Sequence, residues 1–170
     1  MHNAGIFLEE DTVNLTTWRK VMQVNLNAIV PLTMGLQDRL LSGGAIVNIA
    51  STDGLMGAFN SFAYAASKAA LINLTQSFAL HFGPRAIRAN CISPGWILTD
   101  MVKDSEISGS IEFTPLGRNG RSEEVASVVS FLMSSDAGFV NGGNIIVDGG
   151  NHCVDPVLKQ EFESGDRTEI

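Results

Sequence analysis

The sequence predicts an α/β fold in which helices flank a parallel sheet, and three observations carry that prediction. Short apolar, β-branched runs, "GGAIVNIAS", "IRANCISPGW" and "NIIVDGG", are punctuated by glycine or proline and read as buried strands. The stretches between them include long runs rich in helix formers. Strands that alternate with helices pair in parallel and bury the sheet between layers.

The elements follow in order. "TTWRKVMQVNLNAIVPLTMGLQDRLL" places Trp18, Val21, Met22, Leu26, Ile29 and Val30 close to helical spacing, and Pro31 predicts a kink in a long helix. "GGAIVNIAS" is the first strand, with a polar end. Residues 62 to 82 form a helix apolar on more than one face, stopped by Gly83-Pro84. "IRANCISPGW" is a strand that breaks at Pro94-Gly95. "RSEEVASVVSFLMS" is a helix with Ser122 at its cap and Glu123 and Glu124 in its first turn, where carboxylates suit the helix dipole. "NIIVDGG" is the last strand. No repeat or linker interrupts residues 1 to 150, which read as one domain, and the polar, acidic stretch from Asn151 to Ile170 reads as a loose tail.

Composition narrows the function. Of 170 residues, 45% are hydrophobic and 17% charged, a balance that supports a packed core. A net charge of -7 without a basic run argues against nucleic acid as a partner. No stretch reaches membrane-spanning length and no secretion signal opens the chain, so a cytoplasmic protein off the membrane is expected. Cys91 and Cys153 read as reduced thiols, and no metal-ligand spacing is present.

In an α/β sheet, ligands gather beyond the carboxyl ends of the strands, where Ser51 and the Pro94-Gly95 turn fall. The only tyrosine, Tyr64, stands in "YAASK" with Lys68 four positions later, on the same helical face. A nearby ammonium favours a phenolate, so Lys68 is expected to lower the pKa of Tyr64 toward neutrality. Alone, the pair reads more readily as a tyrosine and an unrelated lysine on one turn. Ser51, able to face the phenol across the crevice, and Asn25, a polar residue in an apolar helical stretch, change that balance.

At this point the chain resembles the short-chain dehydrogenase/reductase family, through "NAG" at 3 to 5, "VNL" at 24 to 26, "NIAS" at 48 to 51, "YAASK" at 64 to 68, "SPGWILT" at 93 to 99 and "VDGG" at 147 to 150. "TPLGRNGRSEEVA" is especially similar to reductases related to 3-oxoacyl carrier-protein reductase. The resemblance implies a Rossmann-like sheet and NAD or NADP as cofactor, with a small carbonyl or alcohol as substrate. It implies Tyr64 as general acid or base, Ser51 on the substrate oxygen, Lys68 on the nicotinamide ribose, and Asn25 positioning a relay water behind Lys68. Pro94, Gly95, Ile97 and Thr99 would line the carboxamide, and Asn3, Ala4 and Gly5 would steady the strands near the adenosine half. His2 stands where relatives commonly have a second asparagine.

The family's opening strand and glycine-rich TGxxxGxG turn are not found in this sequence, so an N-terminally incomplete Rossmann-like domain over 1 to 150 is expected. Such a domain would expose a strand edge and apolar helix faces. Two functions are open: an oxidoreductase, or an inactive truncated form acting as an oligomerisation module. Family members pair through their two long helices, which implies a homodimer or homotetramer. Asp100 to Phe113 falls where the family has its substrate-covering loop.

Overall fold

A computed structural model of the chain describes residues 1–8, 14–99 and 109–164. In chain order the elements are α1 (Leu15–Met22), α2 (Ile29–Gly35), β1 (Ala45–Ile49), α3 (Phe62–Phe82), β2 (Arg88–Pro94), β3 (Ile97–Leu98), β4 (Gly120–Arg121), α4 (Ser122–Met133), β5 (Asn144–Val147) and α5 (Pro156–Ser164). The sheet runs β1-β2-β5 with both pairs parallel, Ile49 opposite Ile92 and Cys91 opposite Asn144. Parallel pairing brings the carboxyl ends of all three strands to one rim of the sheet.

Successive residues of β1 point to opposite faces, so Ile46 joins Leu71 and Phe82 beneath α3 while Val47 joins Leu132 beneath α4. Helices therefore cover both faces in a Rossmann-like arrangement. Beyond β1, His2 bridges Asn48: its N–H donates to the Val47 carbonyl at 2.9 Å and its carbonyl accepts from Ile49 at 3.1 Å. That bridge blunts the β1 edge. Apolar helix faces do remain uncovered, including Leu32 of α2, Leu36 just past its end, and Leu80 of α3.

Three local expectations are revised. The long helix breaks ahead of Pro31, at a π-turn over Gln23–Asn27 where the Ala28 N–H reaches back five residues to Gln23 at 3.1 Å. Pro31 then sits in the first turn of α2, where a missing N–H does least harm. The cap of α4 is Arg121 instead of Ser122, because the Glu124 carboxylate accepts from the Arg121 N–H at 2.9 Å. The terminal stretch contains α5, nucleated by Asp155, whose Oδ1 accepts from Val157 and Leu158, with Pro156 as its first residue. Its side chains are largely exposed.

Candidate active site

The chain leaves β1 through Ala50 and enters a 3₁₀ turn, Thr52–Gly54, capped by the Ser51 hydroxyl, which accepts from the Asp53 N–H at 3.1 Å. Gly54 presses this turn onto α3, since a Cβ there would come within 2.8 Å of the Lys68 carbonyl carbon and 2.9 Å of the Ala69 nitrogen. Only hydrogen fits. The close approach brings Ser51 near enough to bear on the phenol of Tyr64, which lies in the first turn of α3 with the Phe7 ring edge-on at 5.2 Å.

One turn along α3, Lys68 is buried, its Nζ lies 5.4 Å from the Tyr64 ring centroid, and it donates to the Ile49 carbonyl at 2.8 Å. Burial lowers its pKa to about 8. The tyrosine departs from expectation: burial pushes the phenol up, the Asp53 charge adds to the rise, and the Ser51 hydroxyl pulls the other way. One of the ammonium's three donors goes to Ile49, and desolvation of the phenol prevails.

Asn25 sits wholly buried in the π-turn. Its Oδ1 accepts from the Ile6 N–H at 2.8 Å, and its Nδ2 donates to the Ile6 carbonyl at 3.0 Å and to Ser67 Oγ at 3.1 Å. Ser67 in turn donates to the Tyr64 carbonyl at 2.7 Å. Gly5 closes the arrangement, for a Cβ there would lie 3.4 Å from Lys68 Nζ and 3.7 Å from Asn25 Oδ1. Asn3 and Ala4, on the segment between His2 and Gly5, are exposed.

At the neighbouring strand end, Gly95 donates to the Val147 carbonyl at 3.0 Å, and a Cβ on it would meet that of Asp148 at 2.6 Å. Ile97 pairs with Gly120, which has no room for a side chain beside it either. The Ala50 N–H donates to the Ile92 carbonyl at 2.7 Å, tying the Ser51 and Pro94-Gly95 segments to one rim. Thr99 is exposed at the end of the described stretch; of the expected covering loop, residues 100–108 lie outside the described residues.

The sequence profile of a family described as Enoyl-(Acyl carrier protein) reductase matches residues 1–152. The chain belongs to the short-chain dehydrogenase/reductase family. It is 40% identical over 158 residues to the cyclohexanol dehydrogenase of Acinetobacter sp. (strain SE19), an alignment covering 87% of this chain and 61% of that protein. The 3-oxoacyl-[acyl-carrier-protein] reductase of Pseudomonas aeruginosa is 36% identical, covering 88% and 64%. Among solved structures, a 4-hydroxyisoleucine dehydrogenase complexed with NADH superposes with a TM-score of 0.83 at 35% identity, covering 91% of this chain and 68% of that one. The chain thus spans roughly three fifths of the curated relatives it matches. Solved family members carry NADH or NADP.

The structure brings Asn25, Ser51, Tyr64, Lys68 and Gly5 together, and sets Pro94, Gly95 and Ile97 on the same rim of the sheet. Sequence reasoning missed Ser67, although it lies three residues after Tyr64 on the same helical face, and Asp53, two residues past Ser51. It also missed Phe7 and Ile6, whose positions depend on a chain crossing that no local pattern reveals. His2, the departure from the family pattern, serves the β1 edge through its backbone and places its Nε2 2.9 Å from Thr33 Oγ1. Among the described residues no helix is long and apolar enough to cross a membrane, and no cluster of His, Cys, Asp and Glu could hold a metal.

Proposed function

We propose that this chain carries the reaction centre of an NAD(P)-dependent oxidoreductase that interconverts a carbonyl and an alcohol on a small molecule. The observation that supports this most is the convergence of Ser51, on a turn pressed against α3, with Tyr64 and a buried lysine whose Nζ lies 5.4 Å from its ring. When bound, the nicotinamide gives or accepts the hydride. Tyr64, its pKa raised, stays protonated at neutral pH and suits the acid's part in carbonyl reduction, giving its phenolic proton to the substrate oxygen. Ser51 offers a second hydrogen bond to that oxygen and steadies its charge as the carbonyl opens.

The residues present fit the nicotinamide half of the cofactor. Lys68 spends one of its three donors on Ile49, and beside it the bare Cα of Gly5 leaves a cradle that suits a ribose hydroxyl. Pro94, Gly95, Ile97 and Thr99 would line the carboxamide, while Asn3 and Ala4 continue toward the adenosine half. Asn25 Oδ1 and Lys68 Nζ both flank Gly5 and would hold a relay water between them. Reduced Cys91 and Cys153 suit a cytoplasmic setting.

The test is oxidation of NADH and of NADPH by the protein with a panel of ketones and aldehydes, beside Tyr64→Phe. Loss of one proton donor should lower turnover by about 10²- to 10⁴-fold. A variant that keeps its turnover refutes the reading.

A second reading concerns assembly. A groove of about 290 Å³ between Asn27 and Val30 on one side and Ala70 and Leu74 of α3 on the other continues into the uncovered face of α2. It suits a second copy of the same chain, giving a homodimer or homotetramer, and an inactive form could act through this face alone. Sedimentation of the purified protein, with Val30→Asp expected to shift it toward monomer, tests the pairing.

A further inference from the structure

The chain from Ser51 to Phe62 leaves the rim of the sheet, passes the 3₁₀ turn and enters α3 just ahead of Tyr64. A segment tied to Ser51 at one end and to Tyr64 at the other borders the space between them. Its outward side chains are apolar, with Leu55, Met56, Phe59 and Phe62 all exposed. Beside it on the rim, Ile97 packs its Cδ1 where a side chain on Gly120 would go, so Trp96 and Leu98 turn the other way and are exposed. The Trp96 carbonyl accepts from the Gly120 N–H at 2.9 Å, which fixes the backbone beneath the indole. Apolar side chains gathered at the mouth of a polar crevice mark a place where hydrocarbon docks.

Charge narrows the occupant. From Ser51 to Phe62 and from Ser93 to Leu98 the one charged side chain is Asp53, half-buried beside the phenol. Lys68 lies deeper, buried, with one donor on Ile49. An anion brought to this mouth meets a carboxylate and hydrocarbon, with no cation at the surface to pair it. A polyol fares little better, since Asn60, at a φ of +54°, is the one exposed polar side chain between Leu55 and Phe62.

We propose that the substrate is an uncharged ketone, or its secondary alcohol, bearing an alkyl chain of several carbons, with its oxygen at Ser51 and Tyr64 and its chain laid along Trp96, Leu98, Leu55 and Met56. This rests on the carbonyl and alcohol reading of the site and adds the class of molecule it takes. Reduction takes a hydride at the carbonyl carbon and the Tyr64 proton at oxygen, and no bond of the alkyl chain changes. The chain is held equally in the ground and transition states, so its contacts act on KM and leave kcat nearly level. Trp96 is thereby a residue that sets specificity.

The experiment follows oxidation of NADH and of NADPH by the full chain with three sets of ketones. Butanone, 2-hexanone and 2-octanone lengthen the chain, and kcat/KM should rise about two- to fourfold for each added methylene, through KM. The neutral 5-methyl-2-hexanone has the outline of the anion 4-oxopentanoate and should exceed it by at least about tenfold. Dihydroxyacetone should be used worse than butanone. Trp96→Lys, or the exposed Met56→Lys where circular dichroism shows the first misfolded, should narrow the gap between neutral ketone and anion at least about threefold, by pairing the carboxylate. Binding is read without turnover from Trp96 emission in Trp18→Phe, these being the two tryptophans of the chain. The neutral ketone should act at about a tenth or less of the concentration of the anion. A flat series, or an anion used as well as its neutral counterpart, with turnover still lost in Tyr64→Phe, overturns the substrate class and leaves the reaction standing. Where no carbonyl is turned over, the reaction reading itself fails; a preference for the neutral ketone in the emission titration then upholds the ligand class, and an equal response overturns it.

Discussion

Asn25 and Ser67, 42 positions apart in the chain, are joined in the interior by a hydrogen bond of 3.1 Å that ties the π-turn to α3. Through Ser67 the tie continues to the Tyr64 carbonyl, and through Ile6 it reaches the segment carrying Gly5. The amide is a structural hub first. Asn25→Ala removes three hydrogen bonds and strands the Ile6 N–H and carbonyl, a loss of about 3 kcal/mol. For a chain of this size that corresponds to a fall in Tm of about 6–12 °C by circular dichroism. A fall under about 2 °C would show that water replaces the amide and that the hub is unnecessary.

Gly54 makes a sharper test of how Ser51 is aimed. An alanine there meets backbone, not a flexible side-chain tip, so the 3₁₀ turn has to retreat from α3 and carry Ser51 away from Tyr64. Gly54→Ala should cost about 1–3 kcal/mol of stability. It should also lower kcat more than it raises KM, because in the proposed reaction the displaced hydroxyl would act on the developing oxyanion. Gly57→Ala, where the new methyl meets nothing within 4 Å, is the matched control and should leave both constants unchanged. Equal behaviour of the two variants would break the link between turn packing and catalysis.

Asp53 places a negative charge beside the phenol that it helps to hold protonated. Neutralising it in Asp53→Asn removes one cause of the raised Tyr64 pKa, so the value falls. A general acid works while protonated, and the limb on which reduction slows with rising pH should therefore move to lower pH. For alcohol oxidation, where the phenolate accepts the proton, the rising limb should move in the same direction. Profiles of kcat/KM from pH 6 to 11 in both directions decide the matter, and an unmoved or alkaline-shifted limb contradicts it.

The parallel strands and the helix over 62 to 82 were legible because each depends on local signals, β-branched runs, helix formers and glycine or proline stops, and the four-residue spacing put Tyr64 and Lys68 on one face of that helix. What escaped were relations set by tertiary contact. The break in the first long helix falls at a π-turn and not at Pro31, since a missing N–H is visible in sequence while a widened turn just before it is not. The sign of the Tyr64 shift was missed for a related reason. Spacing shows that Lys68 is near, but only packing shows that its ammonium is turned to Ile49 and that the phenol is desolvated.

That same buried ammonium makes stability depend on pH in a direction opposite to the familiar ion pair. Lys68 has a pKa of about 8 in the fold, against roughly 10.4 in an unfolded chain. Below pH 8 both states hold the proton and the fold bears the full desolvation cost. Between those values the unfolded state binds more protons, so stability contributed by this residue rises with pH. Lys68→Met keeps the stem's packing and removes the titration, while its loss of the Ile49 bond is constant with pH. Tyr64, shifted upward, acts in the opposite sense in both proteins and cancels in the comparison; Cys91 is also shifted upward, but Lys68 pulls its thiol down, so the variant loses that pull and Cys91 adds to the gain of wild type at high pH. Urea unfolding at pH 7, 8.5 and 10 should show wild type gaining on the variant by about 1–2 kcal/mol across the series. A gap that stays fixed or moves against wild type would mean that the ammonium is not desolvated, and the ribose cradle proposed beside Gly5 would lose its physical basis.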